Sequence, residues 1–410
     1  MHVQIVSVAP VVPFEAIPHA GGQYFLRHLR ALRALGHEIT VVAPATADNR
    51  AAAALTVAEF ASVLVDIPAP PRGFRRVVAV LDRQQQRFFP VRPVRRLRKA
   101  FASSAELHAL FFTADVVEFQ WTEMGWLGRG VTTRARRVVF AHDVLLQSAE
   151  RFLGASAGRW HPRALVARCR LTTVRRDERR VYAEADTVLV FSGKDAAIVQ
   201  RASRSAEVRV VRPPLAEALP APAVSPPLRG SILFVGAFDR SVNADAALWI
   251  MREIAPRVQR RHPDARFVFA GAHPTVEMRD EAEGRPGTLL VTGRVESLEP
   301  YYAGAAVALI PLRAGAGVKF KTVDAMVRGI PIVSTTIGVE GIVDDTLSVF
   351  AIADDAAALA EAVSAALDDL PAARLQAEAV RRIAVEEFSA DRFLLTLAGI
   401  YGPFNAPVER

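Results

Sequence analysis

Half of the chain's four lysines, Lys319 and Lys321, stand in one tripeptide. They belong to the run AAVALIPLRAGAGVKFKTVDAMVRGIPIVSTTIGVEG, residues 305–341. Its pattern predicts a buried strand ending at Pro311 and a loop containing Gly315 and Gly317. A helix then starts near Val318 and stops at Gly329, before a second buried strand opens with Ile330 and Pro331. Glycines ahead of a helix N-terminus let backbone N–H groups approach a phosphate, and the helix dipole adds to the attraction. Lysines in a first helical turn oppose that dipole, so their placement makes sense against a bound anion. Asp324, one turn beyond Lys321, has the chemistry to accept from a ribose diol. The competing reading is an ordinary βα turn with two surface lysines.

The first half of the chain has candidates of its own. Gly21 and Gly22 precede an amphipathic helix carrying Leu26, Leu29, Leu32 and Leu35. They could present N–H groups to a phosphate or a sugar, or simply begin a helix. His37 reads as a structural residue of the turn that follows. VVFAHDV sets His142 and Asp143 at the carboxyl end of a predicted strand, where open α/β sheets place ligand residues. They suit a sugar hydroxyl, or a capped turn. Gln120, Trp121 and Glu123 close another strand and are acceptor candidates by position. Ser192 reads as a helix N-cap. Residues 72–99 hold ten Lys and Arg against the one acid Asp82, interleaved with Phe74, Val77, Val80, Leu81 and Phe88. That mixture suits an anionic membrane surface, or a solvated helical face in an arginine-rich chain.

These residues need scaffolding, and the pattern around them supplies it. Short β-branched runs alternate with helical stretches, which implies parallel sheets covered on both faces. In the second half the strands read at 231–235, 266–270, 289–292, 307–311, 331–334 and 348–351, with a continuous helix over 244–261. PPLAEALPAPAVSPPLRG, residues 213–230, has six prolines in 18 positions and reads as a linker. The expected plan is therefore α/β, with two doubly wound Rossmann-like domains facing across a cleft. The boundaries are 1–212, linker 213–230, 231–388, and a C-terminal helix over 389–410 packing back toward the first domain.

Charge divides along the same line. Residues 1–212 carry 32 basic and 18 acidic residues, and 213–410 carry 19 and 25. A basic half suits an anionic acceptor or lipid, although 47 arginines against four lysines also fit a compositional bias. No apolar run reaches the roughly 18 residues of a membrane span. The first residues read as a strand, and the single Cys169 fits a reducing, cytoplasmic setting. H-E-x-x-H, cysteine clusters and Asp-x-Asp are absent, so a metal-dependent site is not expected. No motif supports nucleic-acid binding.

Residues 315–341 resemble the donor-binding region of the GT-B retaining glycosyltransferases of the group 1 (family 4) class. Relatives of that pattern read G-x-G-x-[RK]-x-K, then a helix, then G-x-P-[IV]-V-x-T and Glu-Gly. Upstream, FVGAFDRSVNADAALWIMREIAPRV, ARFVFAGAHP and LLVTGRVESLEPYYAGA resemble the preceding blocks in the same order. The resemblance implies a transferase that takes a nucleotide-sugar, a UDP- or GDP-sugar in the first place, and no other cofactor. It implies that Lys319 and Lys321 contact the donor diphosphate, helped by Gly315, Gly317 and Val318. Asp324 would bind the ribose, Gly293 and Val295 would line the base pocket, and Gly236 would form the first turn. Gly21, Gly22 and His142 would face the phosphate and the reacting sugar, and the acceptor would be a glycan, a lipid-linked sugar or a small molecule. Two departures stand out. Ala316 occupies the place of the family's first Glu, and Ala237 and Phe238 replace a basic turn, with Arg240 the nearest substitute. A non-catalytic binding partner of the same fold, or an epimerase, stays open beside the transferase. The expected location is cytoplasmic, peripheral at the inner membrane face.

Overall fold

A computed structural model describes residues 2–17, 20–71, 73–129, 131, 133–154, 162–216, 231–315, 317–344 and 347–402. The proline-rich linker beyond residue 216 and Ala316 lie outside the described residues. The chain forms two units, Met1–Pro213 with Phe393–Arg410, and Pro214–Arg392.

The first unit is built on strands β1 (Gln4–Val8), β2 (Glu38–Pro44), β3 (Ala61–Val65), β4 (Val116–Gln120), β5 (Arg136–Ala141), β6 (Thr187–Val190) and β7 (Glu207–Val210). All pair in parallel, in the order β3-β2-β1-β4-β5-β6-β7. Helices run between them: α1 (Ala20–Ala34), α2 (Ala47–Thr56), α3 (Arg75–Phe88), α4 (Arg95–Ser103), α5 (Ala105–Thr113), the single turn α6 (Thr122–Gly125), α7 (Leu145–Gly154), α8 (Pro162–Ala183) and α9 (Gly193–Ala202). β4 and β6 are buried at every position, because helices on both faces exclude water from both sides of the pleat. Ser104 interrupts what the sequence pattern reads as one helix over 95–111. Its side chain accepts from the Leu107 N–H at 3.3 Å and begins α5.

The second unit repeats the plan with β8 (Ser231–Val235), β9 (Phe267–Ala270), β10 (Leu289–Gly293), β11 (Ala305–Ile310), β12 (Ile332–Ser334) and β13 (Ala351–Ile352), in the order β10-β9-β8-β11-β12-β13. Its helices are α10 (Ser241–Trp249), α11 (Ala255–Arg261), α12 (Val276–Glu283), α13 (Glu299–Gly304), α14 (Phe320–Val327), α15 (Ala356–Asp368) and α16 (Leu370–Glu387). The expected helix over 244–261 is instead α10 and α11 joined by a π-helical turn, Ile250–Ile254. The last strand lies at Ala351–Ile352 rather than 348–351, and α12 and α16 were not anticipated. α16 buries only Ala373 and Ala384, so its exposed face hides the apolar period. A final helix α17 (Ala390–Tyr401) belongs from Phe393 onward to the first unit, where Tyr401 Oη donates to Glu118 at 2.8 Å.

Both sheets reverse direction beside their first strand, between β1 and β4 and between β8 and β11. Open α/β sheets bind ligands at such switch points, outside the carboxyl ends of the strands.

Candidate functional site

In the second unit the switch point is flanked by the turn after β8 and the glycine loop after β11. The first turn is held by Asn243, whose amide donates to the Ala237 carbonyl at 2.8 Å. Gly236 fits closely there, since a Cβ would lie 3.0 Å from the Asn243 side chain and push it aside by a few tenths of an ångström. Gly271 (φ +146°) lies under the same turn, and a Cβ on it would come 2.0 Å from the Gly236 carbonyl oxygen. In the second loop Gly315 and Gly317 have φ of +116° and +74°, a region L-residues avoid. They bring the chain into α14 with Lys319 at its N-cap. The helix thus begins two residues later than Val318, which is half-buried against the core of this unit.

Three cations converge here. Lys321 donates to Asn243 Oδ1 at 2.8 Å and stands 4.5 Å above the Phe234 ring. Protein atoms crowd its amine. Desolvation, then Arg240, then Lys319 push its pKa down from 10.5 to about 7. Lys319 is buried, donates to the Gly317 carbonyl and lies 4.0 Å from Glu340. Thr322 Oγ1 donates to the Gly338 carbonyl at 2.7 Å and ties α14 to the loop that carries Glu340. Arg240 is the N-cap residue of α10, and its side chain forms no hydrogen bond or ion pair with another described residue. Mutually repelling cations held in a half-buried turn are stabilised when an anion arrives. Asp324 lies one turn along α14 and faces Arg328, whose guanidinium also pairs with Glu299. Gly293 (φ +70°) ends β10, where Thr292 Oγ1 links the β9 and β10 ends through the Gly271 N–H at 3.3 Å. Val295 is half-buried just beyond it.

In the first unit, Gly21 and Gly22 form the first turn of α1. A Cβ on Gly21 would meet the Trp121 ring at 3.0 Å and His142 Nδ1 at 3.8 Å. Trp121 and His142 stack at 4.1 Å between centroids, and His142 Nε2 bonds Gln120 Oε1 at 2.7 Å. Trp121 carries φ +67°, a strained value for a bulky residue and a frequent mark of functional sites. Gln120 is fully buried, and its Nε2 has no partner among the described residues. Gly21, Gln120, Trp121 and His142 therefore form one group at the β1/β4 switch point. Glu123 does not join it. It shares its burial with Glu178, and desolvation raises both carboxyls, Glu178 to about 8. Ser192 caps α9, accepting from the Asp195 N–H at 3.1 Å. The role of Asn243 as the partner of Lys321 had no local signal, because the pair is 78 residues apart.

Residues 229–369, which contain this second-unit site, match the family model described as glycosyl transferases group 1. That stretch, about a third of the chain, is similar to the group 1 glycosyltransferases. An uncharacterized 44.6 kDa protein in the cps region of Klebsiella pneumoniae is 31% identical over 117 residues, 27% of this chain and 30% of that protein. The alignment thus spans under a third of that relative's length. Sucrose-phosphate synthase from Thermosynechococcus elongatus is similar along the whole chain, with TM-score 0.67 and 19% identity over 97% of this chain and 98% of that one. Anabaena Alr3699/HepE, solved in complex with UDP and glucose, gives 0.65 and 12% over 98% and 100%. WaaG, a glycosyltransferase involved in lipopolysaccharide biosynthesis, gives 0.57 and 16% over 97% and 100%. At such identities the likeness establishes the fold, the GT-B type of two α/β units.

Proposed function

We infer that this glycosyltransferase moves a sugar from a nucleoside-diphosphate donor to a glycan, lipid-linked or small-molecule acceptor, with retention and without a metal ion. The observation that carries this reading is the convergence of Arg240, Lys319 and Lys321 on the carboxyl ends of β8 and β11. The glycosidic C–O bond to the diphosphate breaks, and its electron pair leaves with the diphosphate. The two lysines neutralise that developing charge, the main lever when the leaving group is an anion. The acceptor oxygen attacks the same face of the anomeric carbon, and its proton passes to the departing diphosphate. Glycine N–H groups near 315–317 cradle the phosphates, Asp324 takes the ribose, and Gly293 and Val295 border the base. His142 and Gln120 hold sugar hydroxyls on the first unit. The UDP bound by the Anabaena protein of the same fold supports a nucleotide donor.

The decisive assay is release of a nucleoside diphosphate from a panel of UDP-, GDP-, dTDP- and ADP-sugars without added metal. One donor should turn over slowly, and Lys321→Ala should reduce kcat/KM by about 10²–10³. Unchanged kinetics in that variant would sink the assignment. Ala316 in place of the family's first Glu favours a second reading, a non-catalytic binder of the same fold. Nucleotide binding with no turnover of any donor would select it.

The location we infer is cytoplasmic, with peripheral contact to an anionic membrane through α3. No described helix is long and apolar enough to cross a bilayer. α3 buries none of its residues and exposes Val77, Val80 and Leu81 in line with Phe74, between arginines. An apolar stripe flanked by Arg suits the headgroup boundary of an anionic bilayer. The protein should float with phosphatidylglycerol vesicles, and Leu81→Glu should abolish flotation. Equal flotation of both proteins would remove the membrane from the account.

A further inference from the structure

A second basic site lies in the first unit, lined by residues other than those placed in the two candidate groups above. α7, α8 and α9 line an open cavity of about 550 Å³, within the usual range for ligand pockets. Arg151, Arg175, Arg179, Lys194 and Arg201 line it, against the single carboxylate of Glu150. Glu150 is engaged with Arg175 at 3.4 Å. Arg179 and Arg201 make no hydrogen bond or ion pair with any other described residue.

One of these cations is fixed in place. Lys194 sits in the first turn of α9, where the dipole disfavours it. Its amine donates to Gln147 Oε1 at 2.6 Å. Gln147 is buried and in turn donates to the buried Asp195, which also receives the Ser192 hydroxyl at 2.7 Å. A buried polar network thus orients a lysine at the rim of an arginine-lined cavity. Lys194 and Arg201 are seven residues apart on one helix, about 10 Å along its axis. That span exceeds one phosphate and suits a pyrophosphate or two spaced phosphates, with the guanidinium forks supplying paired donors. The Lys194 end lies just past the carboxyl end of β6, on the edge of the sheet that carries Gln120 and His142 after β4 and β5.

We propose that this cavity binds the phosphate or pyrophosphate group of the acceptor, so that the acceptor is a phosphoanion. The proposal rests on the transferase reading for the word acceptor, and on the cavity alone for the anion.

The test is a calorimetric titration with inorganic pyrophosphate on the full chain carrying Lys321→Ala, which weakens the second-unit phosphate site. Saturable 1:1 binding should persist, and adding Arg179→Gln with Arg201→Gln should weaken it at least tenfold. Both arginines are exposed, so the fold should be kept. Absent binding, or binding indifferent to these substitutions, overturns the proposal and leaves the arginines as a solvated surface. Nucleoside diphosphate titrated into otherwise wild-type R179Q/R201Q protein should bind as it does to wild type. If wild type itself binds no nucleotide while pyrophosphate binds the cavity, the transferase reading fails and the anion site stands. R179Q/R201Q protein should also float with phosphatidylglycerol vesicles as wild type does. Lost flotation would make the ligand a lipid headgroup and overturn the acceptor assignment.

Discussion

Lys321 is a cation in a place that discourages charge. With its pKa near 7, the free protein holds it partly neutral at neutral pH. A diphosphate beside it favours the ammonium form, so binding should take up a proton above pH 7. The depressed value also sets a sign for stability. The penalty for charging Lys321 is full below pH 7 and is relieved as pH rises from about 7 toward 10.5. Ligand affinity has the opposite trend and should fall as pH rises above 7. Calorimetry of nucleoside diphosphate binding at pH 8, in two buffers of different ionisation enthalpy, should show net proton uptake. Identical heats in the two buffers would mean that Lys321 is already charged in the free protein. The sequence made Lys321 a candidate through its spacing from Gly315 and Gly317. Its burial and its partner Asn243 arise from packing across 78 positions, which no local pattern records.

Elements were legible wherever the apolar period was clean. β11, buried at all six positions of Ala305–Ile310, reads from its apolar run as a strand over 307–311, two residues late at its start. α16 was obscured because a helix that buries only Ala373 and Ala384 shows little apolar period in the sequence. The two turns of the candidate second-unit site depend on backbone contact rather than on period. Gly271 shows this best, since its Cβ would collide with the Gly236 carbonyl and its φ is +146°. Gly271→Ala should lower stability by about 1–3 kcal/mol, as overpacking does. It should also weaken nucleotide binding, because the displaced Gly236 turn holds Asn243 and through it Lys321. Urea denaturation and a nucleotide titration would check both effects. A variant with wild-type stability and affinity would show that the turn is free to move.

On the scale of the whole molecule, the chain is two α/β units, each with its own switch point and its own core. A ligand that binds only one of them stabilises only that one. Scanning calorimetry should therefore resolve two transitions, and nucleoside diphosphate at about 100 times its Kd should raise just one, by about 2.7 kcal/mol. Pyrophosphate on the Lys321→Ala protein should raise the other. A single transition that moves with either ligand would mean that the units unfold together.

Alternation of strand and helix, the proline-rich linker and the G-x-G-x-K-x-K run determined the α/β class, the two-part plan and the lysine candidates. Those are local properties, set by side-chain periodicity and by the few residues that tolerate positive φ. Tertiary structure alone decided that Gly21, Gln120, Trp121 and His142 form one group while Glu123 stands apart with Glu178. It likewise decided that Asn243 holds Lys321, and that five cations from three helices line one cavity. Strand order brings together residues that are distant in the chain, and burial sets their charge. Neither quantity is written in the neighbourhood of any one residue.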